Sequence, residues 1–287
     1  VYQQTLNLTI SEKQELRRLL EENYLPKNRV YRYNFFYDNC TTRARDIIEK
    51  CIEGKVVYSE GKERLSFRDI VHQYTKGHEW DELGIDMCLG SEADKSIDTR
   101  KQMFAPFYML EAAKKATIVV GDSVRPLILH EKKVVDVEPE DVREGFPLSP
   151  MVCVFILIGV TCFVGWLQFK IRKIIWIWDL LLFGVQGLAG CVITFLVFFS
   201  THPTVGSNWL ILLLNPIPLI YLPVMVYRAI KGKKDYYHTI NIVCLTSFMM
   251  IMPFIQQKFN VTVLPLALCL LICSANHVLL YYRQNNK

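Results

Sequence analysis

The chain has 287 residues, of which 51% are hydrophobic, and a formal net charge of +5 at pH 7. Residues 151–287 contain ten Lys or Arg and two acidic residues, which leaves 23 basic and 26 acidic residues in positions 1–150. The ten cations lie in short clusters between apolar runs rather than on one basic face, which excludes a nucleic-acid-binding surface as the source of the charge. The length fits two domains, and the contrast in composition predicts that they differ in kind.

The first predicted elements are a helix and a strand. Ser11 and Gln14 have the spacing of a capping box, and the leucines that follow share one helical face. After a turn that contains Pro26, the run Val30–Tyr37 is rich in β-branched and aromatic residues, which predicts a strand.

A second helix is predicted to begin at about Cys40, with Asp38 or Asn39 as its N-cap, because apolar residues recur at helical spacing in CTTRARDIIEKCI. A thiol in the first turn of a helix lies near the free N–H groups and the dipole that stabilise a thiolate. Arg43 and Arg45 add positive charge nearby. Cys40 is therefore a candidate nucleophile. The alternative is a small buried cysteine without a chemical role.

The rest of this domain gives weaker signals. Ser66 is a candidate cap for a helix that runs through Tyr74, and Phe107–Ala116 is typical of a helix. Thr117–Val120 and Pro126–Val137 indicate strands. Three histidines could each act as a base, but none lies in a motif, and each is interpreted as an ordinary surface or core residue: His72, His78 and His130.

The cysteine pattern argues against a metal site. No CxxC spacing occurs, so we predict no metal and no cofactor. Six of the nine cysteines lie in apolar runs as small fillers. Cys51 and Cys88 lie in the predicted outer domain, and a disulfide between them is one interpretation in an oxidising compartment.

The C-terminal half is predicted to span a membrane five times. An acidic linker that contains three prolines covers residues 138–150, so the outer domain is residues 1–137 and the membrane domain residues 151–287. The apolar runs have spanning length, and they cover residues 151–169, 174–200, 210–227, 240–256 and 264–282.

The charge of the connections predicts the topology. Lys170–Lys173, Arg228–Asp235 and Arg283–Lys287 carry nine of the ten cations, so the positive-inside rule assigns these segments and the C-terminus to the cytoplasm. Residues 1–150 then lie outside. Such a domain needs an export signal, and the chain opens without Met or an apolar signal core. We expect either a cleaved signal or further upstream residues.

Four motifs resemble those of the Lnb family, whose members are assigned as lipoprotein N-acyltransferases. The motifs are YNFFYDNCTTRARD (Tyr33–Asp46), WDLLLFGVQGLAG (Trp178–Gly190), STHPTVGSNW (Ser200–Trp209) and NPIPL (Asn215–Leu219). The resemblance implies an α+β outer domain of the circularly permuted papain-like type, like lecithin:retinol acyltransferase, followed by a five-helix all-α transmembrane domain. It also implies the inner membrane of a Gram-negative cell, with the outer domain in the periplasm.

The resemblance extends to Asn39-Cys40, because the permuted papain-like motif has its nucleophilic Cys at a helix start after an Asn. In those enzymes the general-base His lies upstream of the Cys, and no His precedes Cys40 in this sequence. The base is therefore expected in a segment upstream of the given residues.

The reaction that the resemblance implies is acyl transfer in two steps. A phospholipid donates an acyl chain to Cys40 as a thioester, and the α-amine of a diacylglyceryl-Cys at the N-terminus of an apolipoprotein accepts it. Asn39 or Tyr37 could donate a hydrogen bond to the oxyanion, and Arg43 could support the thiolate. Tyr37 could equally be core packing.

Both substrates are anchored by acyl chains, so a lipid cleft is predicted at the outer ends of the spans. His202, Asn208 and Asn215 fall on this side, and prolines interrupt the third span. A simple turn at His202-Pro203 is the alternative. Two other function classes stay open: a membrane-anchored cysteine amidase or peptidase that acts on the cell wall, and a non-enzymatic envelope assembly protein.

Overall fold

The computed structural model describes residues 1–59, 61, 64–136 and 146–285. It divides into two compact units, one made of Val1–Val71 and Lys95–Arg143, the other of His72–Asp94 and Glu144–Lys287. The predicted linker of residues 138–150 falls largely outside the described residues. The sequence assigned residues 72–94 to the outer domain, whereas in the structure they pack within the second unit.

The α-helices are α1 (Ile10–Tyr24), α2 (Cys40–Cys51), α3 (Phe67–Thr75), α4 (Glu79–Cys88), α5 (Thr99–Gln102), α6 (Pro106–Lys115), α7 (Pro150–Ile171), α8 (Trp176–Phe198), α9 (Pro203–Gly206), α10 (Ile217–Ile230), α11 (Tyr236–Ile251) and α12 (Val263–Asn285). The strands are β1 (Tyr2–Leu6), β2 (Lys55–Val57), β3 (Thr117–Val120), β4 (Ser123–Pro126) and β5 (Ile128–Lys133). Short 3-10 helices cover Ser91–Asp94, Trp209–Leu212 and Met252–Phe254.

The first unit contains two small antiparallel sheets. β1 pairs with β5, from Tyr2 opposite Lys133 to Leu6 opposite Ile128, and the other sheet has the order β2-β3-β4. Buried side chains between the helices and these sheets form its core: Cys51, Ile52, Ala113, Ala116, Ile118 and Leu127. This unit is α+β, as predicted, while its papain-like permutation stays a prediction.

Helix α1 begins two residues before the predicted capping box. Thr9, rather than Ser11, is the N-cap: its hydroxyl accepts the Glu12 N–H at 3.2 Å, and the Glu12 carboxylate accepts the Thr9 N–H at 2.8 Å. Glu12 is 1% exposed, and Arg125 donates to both of its oxygens at 2.6 Å. The prediction from Ser11 and Gln14 was therefore wrong, because a buried ion pair fixes the register at Glu12.

The predicted strand over Val30–Tyr37 is wrong. This segment forms a turn that is closed by hydrogen bonds between the backbones of Asn34 and Asp38, 2.9 Å in both directions. The Asn34 side chain accepts the N–H groups of Phe36 and Tyr37 at 3.3 Å. An Asx-type turn therefore overrides the β propensity of the aromatic residues.

The structure confirms most of the elements that were predicted after residue 65 in this unit. Ser66 caps α3, where its hydroxyl accepts the Asp69 N–H at 3.1 Å, and Pro106–Lys115 forms the helix expected near Phe107. β3 matches its prediction. The strand expected at Pro126–Val137 is the shorter β5, and Val137 lies outside the described residues.

The second unit contains five apolar helical segments that are long enough to cross a membrane. They cover Pro150–Ile171, Trp176–Phe199, Pro203–Ile230, Tyr236–Phe254 and Val263–Gln284. The third begins earlier than the predicted residue 210 and is broken into α9, a 3-10 turn and α10. The chain is therefore a multi-pass membrane protein, as its composition predicted.

Two glycines let the broken segment approach α8. A Cβ added to Gly190 would lie 2.2 Å from the Asn215 carbonyl carbon, and one added to Gly187 would lie 2.7 Å from the Leu219 backbone nitrogen. Small residues at such spacing allow the backbones of membrane helices to pack closely.

Residues 72–94 pack on the connection between α8 and α10. The Gly90 N–H donates to the Thr204 carbonyl at 2.7 Å, and the Ser91 N–H to the Ser207 carbonyl at 3.1 Å. A Cβ on Gly90 would lie 2.6 Å from the Ser207 carbonyl carbon, so this contact requires glycine.

Candidate functional site

Cys40 is the first residue of α2, and its side chain is exposed. The two other cysteines outside the spans, Cys51 and Cys88, are both free thiols, which contradicts the disulfide interpretation. Burial raises the pKa of the Cys51 and Cys88 thiols, so both are poor nucleophiles. Exposure and position at a helix N-terminus single out Cys40.

Asn39 fixes this helix start. Its Oδ1 accepts the N–H groups of Thr41 and Thr42 at 2.9 Å each, and its Nδ2 donates to the carbonyls of Phe35 at 2.8 Å and Phe104 at 2.9 Å. Asn39 is 5% exposed. Because both amide hydrogens already have acceptors, its side chain orients Cys40 rather than serving as a free oxyanion donor.

The first turn retains one unused backbone donor. The N–H groups of Thr41 and Thr42 are taken by the Asn39 side chain, and the Arg43 N–H by the Asn39 carbonyl at 3.0 Å. Among the described residues, no acceptor is found for the N–H of Cys40. This donor lies on the nucleophile's own residue, where oxyanion holes of thiol enzymes place one.

Arg43 is held in place by two partners. Its guanidinium donates to the Asp38 carboxylate at 2.7 and 2.9 Å and lies 3.4 Å from the centre of the Tyr31 ring. Arg45 is buried and donates to Asp46 at 2.7 Å. Each arginine is therefore paired with a carboxylate, so the positive charge expected around Cys40 is partly offset.

Tyr37 is a packing residue, since its ring meets Phe67 edge-on with centroids 5.2 Å apart. The sequence missed Tyr33. Partial burial, and next the Coulombic effect of Cys40, raise the pKa of the Tyr33 hydroxyl. Its position in the YNFFYDNC motif was the available signal.

The histidines differ in their surroundings. His130 lies on β5 opposite Thr5 in the first unit. In the second unit the His72 Nε2 lies 2.8 Å from Asp86 Oδ1, while Asp86 Oδ2 accepts from Asn260 at 3.0 Å. Asp86 is buried. His72 thus belongs to a carboxylate-oriented pair, which sequence reasoning did not identify because its partners are distant in the chain.

The three residues predicted for a lipid cleft differ in their surroundings. Asn208 is buried, donates to the Met87 carbonyl at 2.7 Å and accepts from Gln257 at 2.9 Å, so its amide does not line an open cleft. Asn215 lies just before α10, and its Oδ1 accepts the Ile217 N–H at 3.1 Å. His202 precedes α9 at the turn, and its side chain makes no capping bond.

An apolar cavity of about 400 Å³ lies instead among the membrane helices of the second unit. Its lining includes Met87 from α4, Leu157 from α7 and Leu270 from α12. Two lining groups, Trp178 Nε1 and Gln186 Oε1, are buried without a hydrogen-bond partner among the described residues. The cavity has the size and polarity of a pocket for an amphiphile.

The comparisons with known proteins agree on one family. The family model of the Lnb N-terminal periplasmic domain matches residues 1–76, and that of the Lnb transmembrane domain matches residues 141–285. Neither the search of curated proteins nor that of solved structures gives a match.

Proposed function

Because the chain belongs to the Lnb family, we propose that it is a lipoprotein N-acyltransferase with Cys40 as its nucleophile. It moves a fatty acyl chain from a phospholipid to the α-amine of a diacylglyceryl-Cys at a lipoprotein N-terminus. The observation that carries this proposal is an exposed thiol at the first position of α2, inside the region that matches the family's periplasmic domain.

In the first step the Cys40 thiolate attacks the ester carbonyl carbon of the phospholipid. The carbonyl oxygen becomes an oxyanion, and the Cys40 N–H is available to donate to it. The carbon–oxygen bond then breaks, the released lysophospholipid oxygen takes up the proton that the thiol gave to a base, and the acyl chain stays on sulfur as a thioester.

In the second step the neutral α-amine of the diacylated lipoprotein attacks the thioester carbonyl. The carbon–sulfur bond breaks, the amine loses one proton, and the Cys40 thiol is restored. A thiol suits this relay, because it opens an ester and its thioester acylates an amine readily. The base is assigned, by the resemblance to permuted papain-like enzymes, to a histidine that precedes Cys40; residues 1–39 contain none.

The membrane unit supports a lipid substrate over a cell-wall substrate. Its apolar cavity offers space for one acyl chain. We assign the outer connections to the periplasmic side and the basic connections, with the C-terminus, to the cytoplasm. The donor phospholipid and the lipoprotein then both lie in the leaflet on the side that we assign to the outer domain.

The test is mass spectrometry of lipoprotein N-termini in cells that have this chain as their sole N-acyltransferase. Cys40→Ala is expected to remove the amide-linked acyl chain, whereas Cys88→Ala, which changes a buried thiol, is expected to leave it. Triacylated termini in the Cys40→Ala cells would refute the proposal. Altered cell-wall fragments with normal lipoproteins would favour the amidase alternative.

A further inference from the structure

Three metal-ligating side chains meet inside the second unit. Cys273 and His277 lie one turn apart on α12, and Asp179 faces them from α8. The Cys273 Sγ is 3.5 Å from Asp179 Oδ1, and the His277 Nε2 is 2.9 Å from Asp179 Oδ2. The three ligand atoms lie within 4.8 Å of one another, and all three residues are buried.

The polar atoms of this cluster satisfy one another only in part: the Cys273 thiol donates to Asp179 Oδ1 at 3.5 Å. Although Asp179 Oδ2 and His277 Nε2 are 2.9 Å apart, the ring N–H does not point at the oxygen, and neither atom has a hydrogen-bond partner among the described residues. Leaving such groups buried without partners costs about 1–3 kcal/mol each, and a buried carboxylate costs more. A cation bound between the two atoms would satisfy both.

Neighbouring side chains hold the imidazole in position. The His238 ring stacks on His277 with centroids 3.8 Å apart. Ser274 fixes His238 in turn: its hydroxyl lies 3.3 Å from His238 Nδ1 and accepts from Asn241 at 2.9 Å. Oriented partners behind a ligand are typical of metal sites.

We propose that Asp179, Cys273 and His277 bind a divalent cation of the Zn²⁺ type, which ties α8 to α12. A thiolate, an imidazole and a carboxylate together form a donor set that zinc uses. Bonds of about 2.0–2.3 Å set tetrahedral ligand atoms roughly 3.3–3.8 Å apart. The Cys273 Sγ–Asp179 Oδ1 distance of 3.5 Å falls in this range, whereas the His277 Nε2–Asp179 Oδ2 distance of 2.9 Å must lengthen when the ion binds. On binding, the Cys273 thiol releases its proton to solvent and the sulfur–metal bond forms.

Access of the ion is expected to be slow. A cavity at the basic end of the bundle reaches His277, but its charged lining combines Asp235 with Arg228, Lys233 and Lys234. Positive charge at the mouth lowers the local concentration of cations. The metal is therefore best loaded during expression, and chelators are expected to remove it over hours.

The experiment measures metal in the purified full chain. After expression with added zinc, elemental analysis is expected to give about one ion per chain. After expression with Co²⁺, a thiolate-to-cobalt charge-transfer band is expected in the near-ultraviolet. Cys273→Ser and Asp179→Asn are expected to lower the metal content at least tenfold.

Two further variants separate ligand loss from misfolding. Cys273→His keeps a ligand, so it is expected to retain cobalt and lose the charge-transfer band. Cys269→Ser changes a buried cysteine one turn away on the same helix, outside the cluster, and is expected to retain both. A folded wild-type chain without metal and without the cobalt band would overturn the proposal, as would an unchanged band in Cys273→His.

Discussion

Substitution of Asn39 tests whether the helix start at Cys40 is built as described. Asn39→Ala removes the N-cap acceptor, which contributes about 1 kcal/mol. It also removes the donors to the carbonyls of Phe35 and Phe104, about 1 kcal/mol each. The sum is a loss of about 3 kcal/mol. Asn39→Ser restores the cap acceptor alone, so its loss is about 2 kcal/mol.

The readout is the alkylation of Cys51 in the full chain. This thiol is 2% exposed at the far end of α2, so it reacts only when the helix opens. A loss of about 3 kcal/mol accelerates its alkylation roughly 100-fold in Asn39→Ala, and about 2 kcal/mol accelerates it roughly 30-fold in Asn39→Ser. Peptide mass spectrometry separates Cys51 from the exposed Cys40.

Thr41→Ala is the matched control, because the backbone N–H of Thr41 takes part in the cap and its hydroxyl does not. Acyl transfer is expected to follow the same order, with Asn39→Ser retaining more activity than Asn39→Ala. Equal loss of activity in the two variants, with Cys51 still protected, would refute a purely orienting role and make Asn39 a direct donor.

Further perturbations test other parts of the structure. Arg43→Lys loses the two-point contact with the Asp38 carboxylate and the contact with the Tyr31 ring. The free energy of unfolding is expected to fall by about 1 kcal/mol, which the alkylation of Cys51 measures. Ala189→Trp fills the apolar cavity and is expected to lower the rate of acyl transfer without changing the melting temperature of the first unit. An unchanged rate of acyl transfer would show that the cavity does not bind the acyl chain of the substrate. Gly190→Ala is expected to cost about 2 kcal/mol through overpacking, whereas Gly159→Ala, with open space around its Cβ, costs little; equal melting temperatures would contradict the close approach. Burial opposes ionisation of Glu12, but hydrogen bonds from backbone N–H groups and from Arg125 outweigh it and lower the pKa of this carboxyl group. The ionised Glu12 therefore stabilises the folded protein fully above the pKa of the unfolded chain, and this stabilisation is lost as the pH falls through the folded-state pKa. Glu12→Gln should lower the free energy of unfolding by about 3 kcal/mol at neutral pH and weaken its dependence on acid pH.

The sequence predicted elements whose signals are local. Apolar length was enough for the membrane helices, and the cap at Asn39 could be predicted because helix caps depend on adjacent residues. The failure at Val30–Tyr37 has a local cause too: the Asn34 side chain closes a turn that β propensity does not anticipate.

Other features depend on partners far apart in the chain. The contact of Gly90 with Ser207 joins segments more than a hundred residues apart, and the sequence of neither segment indicates its partner. The spacing of Cys273 and His277 is visible in the sequence, but Asp179 reaches them only through the packing of α8 on α12. Periodicity cannot give such pairings.

The most direct measurement of the central claim is intact-protein mass spectrometry of the full chain after incubation with a phospholipid of defined acyl chains. The account predicts a mass increase of one acyl group on Cys40, which neutral hydroxylamine or a lipoprotein N-terminal peptide removes and which Cys40→Ala lacks. Transfer of the acyl chain to the peptide by Cys40→Ala, or an acyl group found on a different residue, would contradict it.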